Sequence, residues 1–224
     1  MITNTTYYKG DIYIPEAKPS ITEELLETTN NFSEIISGYE EECFIDIFGF
    51  IFYNEFASQL NLDRPTLLKD EAHEKWGWLL NGHSYLDART NKLKAWRGIR
   101  FKTPITAEKY NRSFLAYYAY CRHERRQHVT NTTVGQIKEK VKNAQVVAPT
   151  LKVVDAWNKY VDIVQGKCKS EKVIYKHELL GLDYYKGNKE VSLYDFIKDM
   201  NKAYTDFYKN VHFKDIRHIN RFGF

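Results

Sequence analysis

The sequence predicts a mainly α-helical fold: a helical bundle with a projecting β-hairpin and extended amino- and carboxy-terminal arms. Three observations lead there. Apolar residues recur at helical spacing over six separate stretches, the region from Tyr85 to Trp96 switches to short apolar runs around a polar middle, and both ends carry aromatics without a helical period. With 224 residues, 43% of them hydrophobic, one domain can bury about 70% of the surface its unfolded chain exposes, so a core needs neither disulfides nor structural metal. The organisation read from this is an arm over residues 1–19, a helical domain over 20–210 with the hairpin at about 84–98, and a docking tail over 211–224.

Each element has its local reason. Tyr7, Tyr8, Ile12, Tyr13 and Ile14 lie between Gly10, Pro15 and Pro19 with no helical repeat, which reads as an extended arm. Ser20 and Glu23 stand at capping-box spacing and open a helix with Ile21, Leu25, Phe32 and Ile36 on one face. Gly38 is expected to interrupt it. A second helix then carries Phe44, Phe48, Phe52 and Phe56 at a strict spacing of four, a stripe wide enough to be buried. A third, from about Lys69, carries Trp76, Leu79 and Leu80 and stops at Asn81-Gly82. The hairpin follows, closed by Gly98. Pro104 precedes a long helix through Tyr110, Phe114, Tyr117, Tyr118 and Cys121 to about His128. Thr130 to Ala148 reads as an extended loop. Pro149 opens an amphipathic helix with Leu151, Val154, Trp157, Val161 and Val164 on its face, ending at Gly166. Residues 173–185 form a connector, and a last helix runs from Leu193 through Met200 to Tyr208.

Charge is distributed unevenly. The formal net charge is only +4, yet residues 20–55 hold Glu23, Glu24, Glu27, Glu34, Glu40, Glu41, Glu42, Asp46 and Glu55 and no Lys or Arg. Arg89, Lys92, Lys94, Arg97, Arg100 and Lys102 form an opposite run without an acid, followed by Arg122, Arg125 and Arg126. Such a two-sided chain suits nucleic-acid contact through its basic part, or contact between acidic and basic faces of neighbouring copies. The basic run is interleaved with Tyr85, Trp96 and Phe101, rings that could stack on bases or anchor a protein interface. The 17 Tyr and 13 Phe of the chain also exceed the ordinary needs of a small core, and surplus tyrosine favours interfaces.

Chemistry is poorly served. The chain lacks a G-x-S-x-G elbow and both glycine-rich phosphate loops. Cys43, Cys121 and Cys168, odd in number and irregular in spacing, read as reduced thiols of a cytosolic setting. Cys121, His123 and His128 are close in sequence, but on one helix the two histidines would diverge by about 140°, so a solvated basic helix end is expected rather than a metal site. Glu40-Glu41-Glu42 could pair carboxylates for acid/base work, but a solvated helix start is the simpler expectation. No catalytic, cofactor-binding or metal residue is therefore assigned. The longest apolar stretch, Phe44 to Tyr53, falls short of the roughly 20 residues that span a bilayer, and residues 1–10 lack a secretory pattern. No membrane partner is expected.

Four features in order carry a resemblance: the start Tyr7-Tyr8-Lys9-Gly10-Asp11-Ile12-Tyr13-Ile14-Pro15, the Trp76 to Leu80 run ending Asn81-Gly82, the hairpin end Trp96-Arg97-Gly98, and the helix from Pro149-Thr150 to Trp157-Asn158. Over roughly residues 1–165 the chain resembles head-to-tail connector (adaptor or ring) proteins of tailed bacteriophages, especially those of crAss-like phages of Bacteroidales hosts. The resemblance implies a mostly helical virion subunit without catalytic residues or cofactors. It also implies a ring, usually dodecameric, below the portal that extends the DNA channel towards the tail. Its partners would be the portal protein, copies of itself, further neck or tail proteins and the passing genomic DNA. Its location would be the virion neck, after assembly in the host cytoplasm. The residues expected at partner interfaces are Glu40, Glu41 and Glu42 on the acidic side, Arg89, Lys92, Lys94, Trp96, Arg97 and Arg100 on the hairpin side, and Phe222 and Phe224 in the tail. The alternative is a monomeric nucleic-acid-binding protein using the basic aromatic surface of residues 85–126.

Overall fold

Helix-spaced aromatics build the centre of the molecule. The computed structural model describes residues 2–17, 23–61, 67–87, 91–102, 111–127, 130–132, 135–137, 150–166, 189–205, 207–211 and 213–219. Among these are six α-helices: α1 (Glu23–Phe48), α2 (Phe50–Ser58), α3 (Glu74–Asn81), α4 (Phe114–Gln127), α5 (Thr150–Val164) and α6 (Leu193–Ala203). The strands are short: β1 (His83–Asp87), β2 (Lys92–Trp96), β3 (Arg100–Lys102), β4 (Asn111–Ser113), β5 (Thr130–Thr132), β6 (Gly135–Ile137) and β7 (Lys189–Glu190). The fold is mainly α, and no described helix is long and apolar enough to cross a membrane.

The expected helix break lies elsewhere than Gly38. A Cβ at Gly38 would meet nothing within 4 Å, so α1 runs through it at the roughly 1 kcal/mol that an interior glycine costs. Gly49 breaks the helix instead, with φ at 85°, a left-handed value that side chains resist. The bend folds α2 back so that Phe44 stacks on Phe56 at 5.1 Å and Phe48 meets Phe52 at 4.7 Å. Trp76 of α3 packs on Phe52 and Phe56. Tyr208 closes the cluster, its hydroxyl donating to the Lys75 carbonyl at 2.6 Å. For that to happen α6 stops at Ala203 and the chain turns, where the periodicity predicted continued helix to Tyr208.

α4 explains why the amino-terminal segment is not an extended arm. Every residue from Phe114 to Cys121 is buried, so this helix is apolar on all sides and needs cover on all sides. α1 and α5 supply two of them. Residues 2–17 supply another, coiling into 3-10 turns at Thr5–Tyr7, Gly10–Ile12 and Pro15–Ala17 that bury Ile2, Tyr7, Tyr8, Ile12 and Ile14.

Three other boundaries differ from expectation. α3 starts at Glu74, where the His73 ring accepts from the Lys75 amide and caps it. Asn111–Ser113 pairs antiparallel with β3 instead of opening the long helix. Within the expected loop, β5 and β6 pair antiparallel. The hairpin itself is present, in register from His83↔Trp96 to Asp87↔Lys92, with β7 added parallel to β2. The connector expected over 173–185 lies outside the described residues.

Candidate interaction surfaces

The run Glu40-Glu41-Glu42 does three different things, because a helix turns each successive residue by about 100°. Glu40 points inward and is 3% exposed. It accepts from the Ile2 and Thr3 amides, each at 2.7 Å, and from the Thr3 hydroxyl. Burial raises its carboxyl above the ordinary range, and those three donors only partly oppose the shift. Glu40 is thus an internal anchor for the amino-terminal segment and not a solvated partner contact as expected. Glu42 meets Arg122 on α4, both partly exposed. Glu41 alone of the three faces solvent. Asp46 pairs with Lys214 at 3.1 Å and Glu55 with Lys75 at 3.0 Å. Much of the acidic side is therefore engaged within the chain, while Glu34 and Glu41 stay exposed.

Strand alternation decides the fate of the basic side. Tyr85, Lys94 and Trp96 share the face that meets α6, where both rings pack on Phe196. Trp96 is buried and its indole donates to the Leu79 carbonyl at 3.0 Å, so it cannot anchor a partner as expected. Lys94 sits between Asp87 at 2.9 Å and Asp199 at 2.7 Å. Arg97 pairs with Glu190 and lies 5.1 Å over the Phe101 ring. Arg100 donates to the Asn81 side chain at 3.0 Å. Lys92 remains exposed. Arg89, Phe222 and Phe224 lie outside the described residues.

Among the described residues, two pairs of neighbouring large apolar side chains are exposed. Phe50 and Ile51 at the start of α2 are 60% and 64% exposed. They lie close to Tyr53, whose hydroxyl is raised first by burial and then by Glu41 and Glu40. The second patch is the cross-strand pair Leu86↔Leu93, on the hairpin face turned away from α6; Lys92 falls on the other face with Lys94 and Trp96. Sequence reading missed both, because their neighbours in the chain are ordinary helix and strand residues.

A further polar centre was also missed. Asp11 accepts from Arg112, from Lys159 at 2.6 Å and from the Tyr117 hydroxyl at 3.2 Å. Burial alone would raise its carboxyl, but the hydrogen bonds and charges of Lys159 and Arg112 together outweigh it and hold it below the usual range. Its stabilising contribution is therefore complete above the ordinary aspartate value and is lost as pH falls through the lower folded one. Asp11→Asn is expected to cost about 1 to 2 kcal/mol at neutral pH, with the gap to the unmodified protein closing in acid, as read by denaturant titrations from pH 7 down to 3.

An open cleft of about 660 Å³ lies between the amino-terminal turns and β3, lined by Asn4, Tyr7, Asn81, Arg97, Arg100 and Asn111 among others. Its amides and guanidinium groups could receive an acidic group. Cys43 and Cys121 are buried; burial raises the first thiol and pushes the second up to about 12, so neither is a ready nucleophile at neutral pH. Cys168 and His128 lie outside the described residues. His123 is buried edge-on against Phe32, which corrects the expected solvated helix end. Among the described residues no group of three or more His, Cys, Asp or Glu could hold a metal ion.

Of the expected docking tail over 211–224, the part from 213 to 219 is described, and residues 220–224 lie outside the described residues. Residues 213–219 already lie along α5 and α6 of their own chain, with Ile216 buried and Tyr194 donating to the Lys214 carbonyl at 2.7 Å. Compared with known proteins, the chain matches no family model, no curated protein and no solved structure.

Proposed function

We propose that the chain is a structural virion subunit, a head-to-tail connector of a tailed bacteriophage of the crAss-like type. In this reading it carries no catalysis and needs no cofactor. Its helices form a bundle with the hairpin projecting, and copies assemble into a dodecameric ring below the portal that joins capsid to tail and continues the DNA channel. Portal protein, neighbouring copies, further neck or tail proteins and the passing DNA are its partners. It resides in the virion neck after assembly in the host cytoplasm.

One observation carries the reading beyond the sequence resemblance: two exposed apolar patches sit on different elements of the chain. Phe50 and Ile51 open α2, and Leu86 and Leu93 pair across the hairpin on the face turned away from α6. A ring closes through a heterologous contact, one surface meeting a different surface on the next copy. Burying such side chains is worth about 1.5 to 3 kcal/mol each. The nucleic-acid alternative keeps exposed Lys92, Arg125 and Arg126. It is less well supported, because two of its three stacking rings, Tyr85 and Trp96, are packed on α6, and the third, Phe101, lies under the Arg97 guanidinium.

Phe50→Lys combined with Ile51→Lys should leave the thermal midpoint of the isolated chain nearly unchanged, since both side chains face solvent. It should abolish co-sedimentation with portal assemblies. Normal co-sedimentation of that variant counts against the patch. Binding of the unmodified chain to duplex DNA that weakens steeply with salt, with no binding to portal, favours the alternative.

A further inference from the structure

Residues 213–219 are held to α5 chiefly by side chains that bond main chain. Asn158 engages both sides of Ile219: its oxygen accepts from the Ile219 amide at 3.0 Å and its nitrogen donates to the Ile219 carbonyl at 2.9 Å. An adjacent β-strand would bind a residue in the same two-sided way. Trp157 donates from its indole to the Arg217 carbonyl at 2.9 Å, and Gln165 accepts from the Ile216 amide at 2.9 Å. Between them, Asp162 meets the His218 ring at 2.8 Å.

The spacing of these groups is that of a track. Asn158 and Gln165 are seven residues apart, which on a helix means the same face and about 10.5 Å along the axis. Their partners Ile219 and Ile216 are three residues apart, which in an extended chain spans about 10 Å. Two turns of helix thus match three extended residues, and the segment runs antiparallel to α5. The match itself is made with the segment's main chain, and the Arg217 side chain is 89% exposed. The contacts specific to its sequence are buried Ile216, the His218–Asp162 pair, the Asp215 carboxylate accepting from Gln165 at 2.9 Å, the Lys214–Asp46 ion pair and Phe213 against the Tyr194 ring at 4.5 Å.

The segment is also separable from the fold that precedes it. Tyr208 is fixed by Asn201, which accepts from its amide at 2.7 Å and donates to its carbonyl at 3.0 Å. Asn210, two residues on, has φ at 60°, a left-handed value that holds the chain in a sharp turn between two anchored parts. Opening that turn frees the segment without disturbing Tyr208 or the aromatic cluster.

We propose that the α5 face is a docking track for an extended peptide, and that in the assembled protein its occupant is residues 213–219 of a second copy of this chain. Exchange between identical copies preserves every contact of the track and requires only that the turn at Asn210 open, which makes it a low-cost route to association. The inference goes beyond the connector reading and does not rest on it, since copies in any symmetric assembly could exchange the segment.

The test uses the full chain with Cys168 replaced by serine. One preparation carries Asp162→Cys and another His218→Cys, changes that leave the bonds from Trp157, Asn158 and Gln165 in place. Mixed at high concentration and mildly oxidised, they are expected to give a disulfide-linked dimer that neither gives alone, in a yield that rises with concentration. Adding Asn158→Ala to the first preparation should cut that yield about tenfold. The single chain carrying both cysteines reports the segment in its own track. If that chain closes only on itself at every concentration and the mixture gives no dimer, exchange is overturned. A dimer yield indifferent to Asn158→Ala overturns the track.

Discussion

Gly98→Ala is expected to be the most damaging small substitution in the molecule. The end of α3 and the end of the hairpin cross at Gly82 and Gly98, with φ at 95° and 96°. A Cβ at Gly98 would lie 2.5 Å from the Asn81 carbonyl carbon, 2.6 Å from the Gly82 nitrogen and 2.7 Å from the Leu80 oxygen. All three are backbone, so no side chain can swing away. The crossing also gives the Leu79 carbonyl two donors, the Ile99 amide and the Trp96 indole, each at 3.0 Å. Left-handed strain of about 1 to 2 kcal/mol and overpacking of about 1 to 3 kcal/mol add to roughly 2 to 5 kcal/mol, a large fraction of a domain's stability. Gly77→Ala is the control: a Cβ there meets nothing within 4 Å, and the change should stabilise α3 by up to about 1 kcal/mol. Equal denaturation midpoints for the two variants would contradict the crossing.

Glu40→Ala should approach the same magnitude for a different reason. It leaves the Ile2 and Thr3 amides and the Thr3 hydroxyl buried without their acceptor. At about 1 to 3 kcal/mol for each abandoned donor, a loss of roughly 3 to 5 kcal/mol is expected once the segment relaxes towards water. Residues 2–17 should then exchange amide hydrogens rapidly while α2 and α3 stay protected. Glu40→Gln keeps the shape and one accepting oxygen and should lose less. The pH dependence runs opposite to that of Asp11. Because burial raises the Glu40 carboxyl, the folded protein holds more protons than the unfolded one between the ordinary glutamate value and the raised one, and stability falls as pH rises through that window. The margin of the unmodified protein over Glu40→Gln should accordingly be greatest in acid and narrow as pH rises.

The helices were legible wherever a repeat was strong and its partner lay close in sequence. Phe44, Phe48, Phe52 and Phe56 announced a buried stripe, and Asn81-Gly82 a helix end. Bending at Gly49 in place of Gly38 was not legible, because both are glycines in helical surroundings and only tertiary packing distinguishes them. The amino-terminal turns escaped for a related reason: short 3-10 turns have no periodic signature, so Tyr7 to Ile14 read as an extended arm although α4 requires them as cover. The candidate interface was the least legible part. Glu40, Lys94 and Trp96 look like surface residues beside their neighbours, yet each is claimed by a group 38, 105 or 17 positions away. The patches at Phe50–Ile51 and Leu86–Leu93 emerged only after those claims had removed the other candidates.

The proposal that this chain builds a ring in the neck is tested most directly by electron cryo-microscopy of virions that carry it. The predicted result is a closed ring of copies adjoining the portal, in which Phe50 and Ile51 of one subunit are covered by Leu86 and Leu93 of the next. Absence of the chain from the neck, or a ring in which both patches face solvent, would contradict it.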